Sequence, residues 1–143
     1  MILPDVNVLI YAFRRDVPEH PISNAWLNHV VADSAPFGIS PLALAAVARV
    51  TTDRRIYRTP STLSDVFEFT DYLLGQPHCQ TVEPGERHWS IFRQLSLETD
   101  TRGRRVTDTW YAALAIEWGC EWITFDRDYA RFPGLTWRLP SAE

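Results

Sequence analysis

Two short apolar segments near opposite ends of the chain, Ile2-Leu3 and Trp122-Ile123-Thr124-Phe125, run into acids: Asp5 after the first, Asp126 and Asp128 after the second. Short apolar runs bounded by turn-forming residues read as buried strands. Pro36-Phe37-Gly38-Ile39 predicts a second strand and Leu135-Thr136-Trp137 a last edge strand, and the stretches between carry apolar residues at helical spacing. Strands alternating with helices imply an α/β domain with a small, mainly parallel central sheet. Ligands of such sheets bind beyond the carboxyl ends of the strands, where Asp5 and Asp126 are expected to fall. A chain of 143 residues suits one compact domain over 1–143.

The helices can be placed from their caps. Asn7 is positioned to cap an apolar turn reaching Phe13, and Ser23 a helix with Trp26, Leu27, Val30 and Val31 inward. Ser40-Pro41 offers an N-cap followed by proline at the first helical position, ahead of an alanine-rich stretch over 42–50 that is apolar nearly all round. Ser61 opens the next helix, with Leu63, Val66, Phe67, Leu73 and Leu74 as its core side and Gly75 at its end. Residues 83–98 predict another, with Trp89, Phe92 and Leu95 inward. Thr107 is expected to cap a helix from 108 to 118, closed by Gly119. Trp110, Trp118 and Trp122 also fit core positions.

Composition excludes several classes. No apolar run approaches the roughly 20 residues that span a bilayer, and the Met1-Ile2-Leu3-Pro4-Asp5 terminus has no basic region ahead of an apolar one. Cys79 and Cys120 lie far apart and form no CxxC motif, so two buried free thiols are expected. These features predict a cytoplasmic protein without membrane contact. The net charge of −4 argues against a general nucleic-acid coat, although an acidic metal site contributes negative charge that a bound cation offsets. All 14 basic residues are arginine.

Asp5, Asp108, Asp126 and Asp128 each sit at a predicted strand end or helix start. Mg²⁺ takes oxygen ligands and keeps several waters, so a few converging carboxylates suffice to hold it. Each acid also has a purely structural role open to it: Asp108 favoured by a helix dipole, Asp126 in an Asx-turn, Asp5 as a cap. Their joint placement favours the metal site. Asn7 is open between helix capping and a hydrogen bond to a metal water; for Ser40, N-capping is favoured over contact with the site. His20, His29, His78 and His88 show no metal-ligand spacing.

Three segments carry a family resemblance: Asp5-Val6-Asn7 after the first strand, Val106-Thr107-Asp108 before an alanine-rich helix, and Thr124-Phe125-Asp126-Arg127-Asp128. Together they resemble the PIN domain. Residues 49–57, Arg-Val-Thr-Thr-Asp-Arg-Arg-Ile-Tyr, and Phe132-Pro133-Gly134-Leu135 are similar to its VapC toxin branch. The resemblance spans essentially the whole chain and implies a three-layer α/β/α fold. It further implies an Mg²⁺- or Mn²⁺-dependent endoribonuclease toxin that acts on transfer RNA or other structured RNA, inhibits translation, is neutralised by a VapB-like antitoxin and forms a homodimer. Asp5 and Asp108 would then be the principal metal ligands, Asp126 would complete the site, and Asp128 would bind a second ion or orient a water. In-line attack would leave 5′-phosphate and 3′-hydroxyl ends. Arg102, Arg104 and Arg105, just before Asp108, would grip RNA phosphates or an acidic antitoxin segment, against the alternative of a solvated loop; Arg14 and Arg15 are similarly open.

One position departs from the pattern. This branch usually places a glutamate shortly before the Arg-Val pair, and here the region reads Ala45-Ala46-Val47-Ala48-Arg49-Val50, with Ala46 at the acidic position. Three explanations stand: the remaining aspartates suffice, the protein is impaired, or the alanine replaces a natural glutamate. The departure motivates a competing reading, a catalytically weak RNA- or antitoxin-binding module. Phosphotransfer receiver domains and haloacid-dehalogenase-like phosphatases also use aspartates at strand ends with Mg²⁺. Both call for a lysine that this chain lacks.

Overall fold

The computed structural model describes residues 1–141; of the expected domain, 142 and 143 lie outside the described residues. Five strands, β1 (Ile2–Pro4), β2 (Phe37–Ile39), β3 (Cys79–Thr81), β4 (Glu121–Ile123) and β5 (Trp137–Arg138), form one sheet in the order β3-β2-β1-β4-β5. Every pairing is parallel. Six helices fill the connections: α1 (Val6–Phe13), α2 (His20–Ala32), α3 (Pro41–Thr51), α4 (Leu63–Leu74), α5 (His88–Glu98) and α6 (Arg105–Trp118).

The topology follows from right-handed crossovers. From β1 the chain steps to β2 and β3 in one direction, leaving α1 to α4 on one face, where α1 packs on α2 and α3, and α3 on α4. It then returns past β1 to β4, which puts the mutually packed α5 and α6 on the other face. The result is the expected three-layer α/β/α fold. Because the connections from the neighbouring strands β1 and β4 leave toward opposite faces, the crevice beyond their carboxyl ends is a topological switch point. The core runs through both layers: Leu3, Leu9, Ile39, Val47, Leu114, Trp122 and Ile123 are fully buried. Gly38 lets β2 approach the residue after β3, since a Cβ there would stand 2.6 Å from Val82 Cγ2.

The structure corrects several sequence expectations. β3 was unexpected, because Cys79-Gln80-Thr81 is an edge strand with no apolar run and exists through its ladder to β2. Asp5, not Asn7, caps α1, and α2 starts at His20, ahead of Ser23. Thr62 rather than Ser61 caps α4. α5 begins at His88, five residues later than the predicted 83, and α6 begins at Arg105, so Thr107 lies inside the helix. The inner stripe of α4 is Val66, Thr70 and Leu73; Phe67 and Leu74, each one position further round, face solvent, as does Leu63. On α5, His88 and Leu95 take the buried side two turns apart, which turns the adjacent Trp89 outward to 67% exposure. Trp118 is also exposed and Trp110 half-buried, so Trp122 alone of these four tryptophans is a fully buried core residue. Cys79 and Cys120 are free thiols; Cys120 is buried as expected, whereas Cys79, on the edge strand β3, is only half-buried. No helix among the described residues is long and apolar enough to cross a membrane.

Candidate metal centre

Asp5 is placed by the sheet itself. Its backbone N–H donates to the Ile123 carbonyl at 2.8 Å, continuing the β1–β4 ladder by one residue before α1 begins. Its carboxylate is 7% exposed and serves as the α1 N-cap: Oδ1 accepts the Val6 N–H at 2.7 Å, and Oδ2 accepts the Thr124 hydroxyl at 2.6 Å. Burial raises the Asp5 carboxyl from 3.8 to about 7. The two hydrogen bonds favour the charged form and only partly offset burial, and the Asp108 and Asp126 charges push it further up.

Asp108 lies in the first turn of α6, half-buried. Its carboxyl is raised too, chiefly by burial and then by the Asp126 charge, against the opposing pull of Arg131, the Tyr129 hydroxyl at 3.4 Å and Arg105. Asp126 follows β4 in a tight turn. Its Oδ1 accepts the Asp128 N–H at 2.9 Å, capping the 3₁₀ turn Arg127–Arg131, and its own N–H donates to Thr124 Oγ1 at 2.9 Å. Asp5, Asp108 and Asp126 all border one cavity of about 740 Å³, together with Asn7, Ala46, Arg49, Arg104 and Thr107.

The other sequence candidates separate cleanly. Asn7 reaches Thr124 Oγ1 through Nδ2 and accepts the Phe125 N–H through Oδ1, both at 3.4 Å, so it ties α1 to the segment after β4 and lines the cavity. Asp128 is exposed, pairs with Arg105 at 3.1 Å and is not among the cavity-lining residues. Ser40 is buried and caps α3 by accepting the Ala43 N–H at 3.4 Å; it does not line the cavity either. Arg102 pairs with Asp100 at the surface, which leaves Arg104 as the member of the trio that lines the cavity. Arg14 is buried and engaged by Asp16, Thr59 and Ser61. Ala46 does line the cavity, as the resemblance implied for that position, and contributes no carboxylate.

Thr124 is the residue that sequence reading missed. Fully buried, its single oxygen donates to Asp5 and accepts from the Asp126 backbone and from Asn7, so one hydroxyl sets the relative placement of two of the acids. A threonine inside an apolar strand ahead of an acid was the available signal.

The donor set suits a hard cation that keeps part of its water shell. Among the described residues no three His, Cys, Asp or Glu side chains form a ready-made cluster able to enclose an ion. None of Asp5, Asp108 and Asp126 has an arginine or histidine ion pair there either. Three carboxyls border one cavity without an ion pair of their own, with Arg49 and Arg104 elsewhere in its wall; such a donor set fits a divalent ion bound partly through water.

Comparison with known proteins identifies the family. The PIN domain family matches residues 2–135. The chain is 40% identical over 140 residues to Ribonuclease VapC43 of Mycobacterium tuberculosis, covering 98% of this chain and 95% of that protein. With Ribonuclease VapC25 of the same organism it shares 39% over 135 residues, covering 94% and 95%. Among solved structures, VapBC2 from Rickettsia felis bound to a promoter DNA fragment superposes with a TM-score of 0.69 at 17% identity, covering 97% of this chain and 98% of that one. VapC20 of Mycobacterium tuberculosis, a Sarcin-Ricin loop cleaving toxin, gives 0.67 at 12% identity over 94% and 98%. The strand order, the acids at the switch point and these matches lead to one assignment: the chain belongs to the PIN-domain family, within its VapC branch.

Proposed function

We propose that this protein is a metal-dependent endoribonuclease toxin that cuts transfer RNA or another structured RNA, thereby inhibits translation, and is held inactive by a VapB-like antitoxin. The observation that carries the reading is the convergence of Asp5, Asp108 and Asp126 on one cavity at the switch point of the sheet. The ribonuclease names of relatives matched over 95% of their length support it, and the VapBC complex among the structural neighbours supports the antitoxin. A homodimer is part of the same proposal.

Asp5 and Asp108 would hold Mg²⁺ or Mn²⁺, with Asp126 completing the site. A divalent ion there supplies Lewis acidity, acidifying water and steadying charge on a phosphodiester oxygen. The chain's own contribution is placement. Thr124 and the Val6 N–H orient the Asp5 carboxylate, and Tyr129 donates to Asp108. Arg104 and Arg49 border the cavity with no carboxylate partner among the described residues, so both are available to an RNA phosphate. Asp128, exposed and paired with Arg105, would bind a second ion or orient a water.

The test is cleavage of total RNA by antitoxin-free protein. Scission should require Mg²⁺ or Mn²⁺, stop with a chelator and fall at least a hundredfold in Asp108→Asn, and equal cleavage by that variant would remove the assignment. A specific observation favours a second reading, the weak binding module: Ala46 borders the acids without adding one. RNA binding without scission at every metal concentration, together with cleavage gained in Ala46→Glu, would select it.

A further inference from the structure

The cavity that gathers the aspartates is chemically two-sided. Part of its wall is acidic, and another part is Tyr11, Val50, Ile56 and Tyr57, apolar and aromatic side chains that a metal site does not need. Ile56 is 52% exposed, so its side chain is open to a ligand in the cavity it lines. Tyr57 is braced. The Arg14 guanidinium lies over its ring, 4.1 Å from the centroid, and Arg14 is fixed in turn by Asp16 at 2.9 Å, the Thr59 carbonyl at 2.7 Å and the Ser61 hydroxyl at 3.1 Å. Tyr57 lines the cavity and Arg14 does not. Tyr11 is held edge-on against Phe125, their centroids 5.5 Å apart. Among the described residues neither phenol hydroxyl has a hydrogen-bond partner in the protein.

We propose that Tyr57, backed by Arg14 and flanked by Tyr11 and Ile56, stacks one unpaired nucleobase of the RNA beside the phosphodiester that is cut. The inference rests on the ribonuclease reading of the same cavity and adds what that reading lacks, a contact to a base. A nucleobase is a flat π-system that aromatic side chains accept whatever its identity, and only an unpaired base can present its face. The subsite therefore selects a looped-out or single-stranded nucleotide over one in a duplex. The Arg14 brace matters because a ring already fixed loses little rotamer freedom when the base arrives. A volume of about 740 Å³ is far more than one hydrated ion occupies and lies in the range of pockets for nucleotide-sized ligands.

The experiment uses an RNA whose cut has been mapped with the parent protein. 2-Aminopurine is placed in turn at each nucleotide flanking the cut, and its fluorescence is read on binding to the cleavage-blocked Asp108→Asn protein carrying Tyr57, Tyr57→Phe or Tyr57→Leu. Quenching is expected with Tyr57 and Phe and lost with Leu. In the otherwise parental protein, kcat/KM should fall roughly tenfold to a hundredfold in Tyr57→Leu and stay within about threefold in Tyr57→Phe. An abasic nucleotide at the quenched position should slow the parent by a similar factor and leave Tyr57→Leu indifferent. Equal cutting of abasic and intact RNA by the parent overturns the subsite even if Tyr57→Leu fails to fold. If the parent cuts no RNA, the ribonuclease reading fails separately; 2-aminopurine is then placed at the unpaired positions of a transfer RNA instead, where Tyr57-dependent quenching supports the subsite and its absence removes it.

Discussion

At the scale of single residues, the site is organised around one hydroxyl. Thr124→Val keeps the shape of the strand end while removing the donor to Asp5 Oδ2 and the acceptor of the Asp126 N–H. Leaving buried polar groups unpaired costs about 1–3 kcal/mol, so a urea melt should show a loss of that order. Isothermal titration should show weaker Mg²⁺ binding, with Thr124→Ser restoring both. The same neighbourhood dictates a pH dependence in the metal-free protein. The folded Asp5 carboxyl holds its proton up to about 7 against an ordinary 3.8, so between those values the folded state binds a proton that the unfolded state has released. Its contribution to stability is complete below the lower value and is lost as pH rises through the higher one. Asp5→Asn removes that loss. Between pH 5 and pH 8 the variant should therefore gain roughly 1–3 kcal/mol relative to the parent when both are unfolded with urea in a chelator; parallel stability curves would show that Asp5 ionises normally in the fold.

At the scale of elements, the ends of the helices show what sequence can specify. Gly119 closes α6 with φ of 65°, the left-handed conformation that lets its N–H reach the Ala115 and Ile116 carbonyls. Gly119→Ala should cost about 1 kcal/mol in thermal unfolding, and no space conflict adds to this because nothing stands within 4 Å of the added Cβ. That cap was legible, as were β1, β2, β4 and the Ser40-Pro41 start of α3, because each is written in a few adjacent residues. The acids at the ends of β1 and β4, Asp5 and Asp126, were legible for the same reason, and Asp108 was legible from the Val106-Thr107-Asp108 segment ahead of the alanine-rich helix. What could not be read was set by distant partners. β3 owes its existence to pairing with β2. Trp89 was expected inward because it is large and apolar, yet the phase of α5 is fixed by His88, whose ring bonds the Trp110 carbonyl at 3.0 Å. The start of α6 was placed three residues late because no side chain caps it; instead the Arg105 and Val106 N–H groups bond back to Arg102 and Gly103 within the preceding turn. Thr124 escaped notice because its role depends on residues more than a hundred positions away in sequence.

At the scale of the whole molecule, the cavity lies on the seam between the two helical layers. Asp5 belongs to the β1–α1 side, Asp108 to α6 on the opposite face, and Asp126 to the turn after β4. Folding brings these three carboxyls together, and ionising all of them there carries an electrostatic cost that no ion pair of theirs relieves among the described residues. A cation bound there would relieve that repulsion and link both layers. Because the unfolded chain scatters the three acids, the ion binds the folded state preferentially and must stabilise the entire fold, not just the site. Mg²⁺ at about 100 times its dissociation constant should add about 2.7 kcal/mol, seen as a rise in Tm that grows with the logarithm of free Mg²⁺ and reverses with a chelator. Sodium chloride at matched ionic strength screens the same charges without bridging them, so it should give a smaller rise that levels off. Asp108→Asn separates the two effects: it lowers the repulsion and should raise the metal-free Tm, while it removes a ligand and should flatten the Mg²⁺ dependence. A Tm that ignores millimolar Mg²⁺ in the parent, or that responds equally in Asp108→Asn, would mean that the three carboxylates share a cavity without sharing an ion.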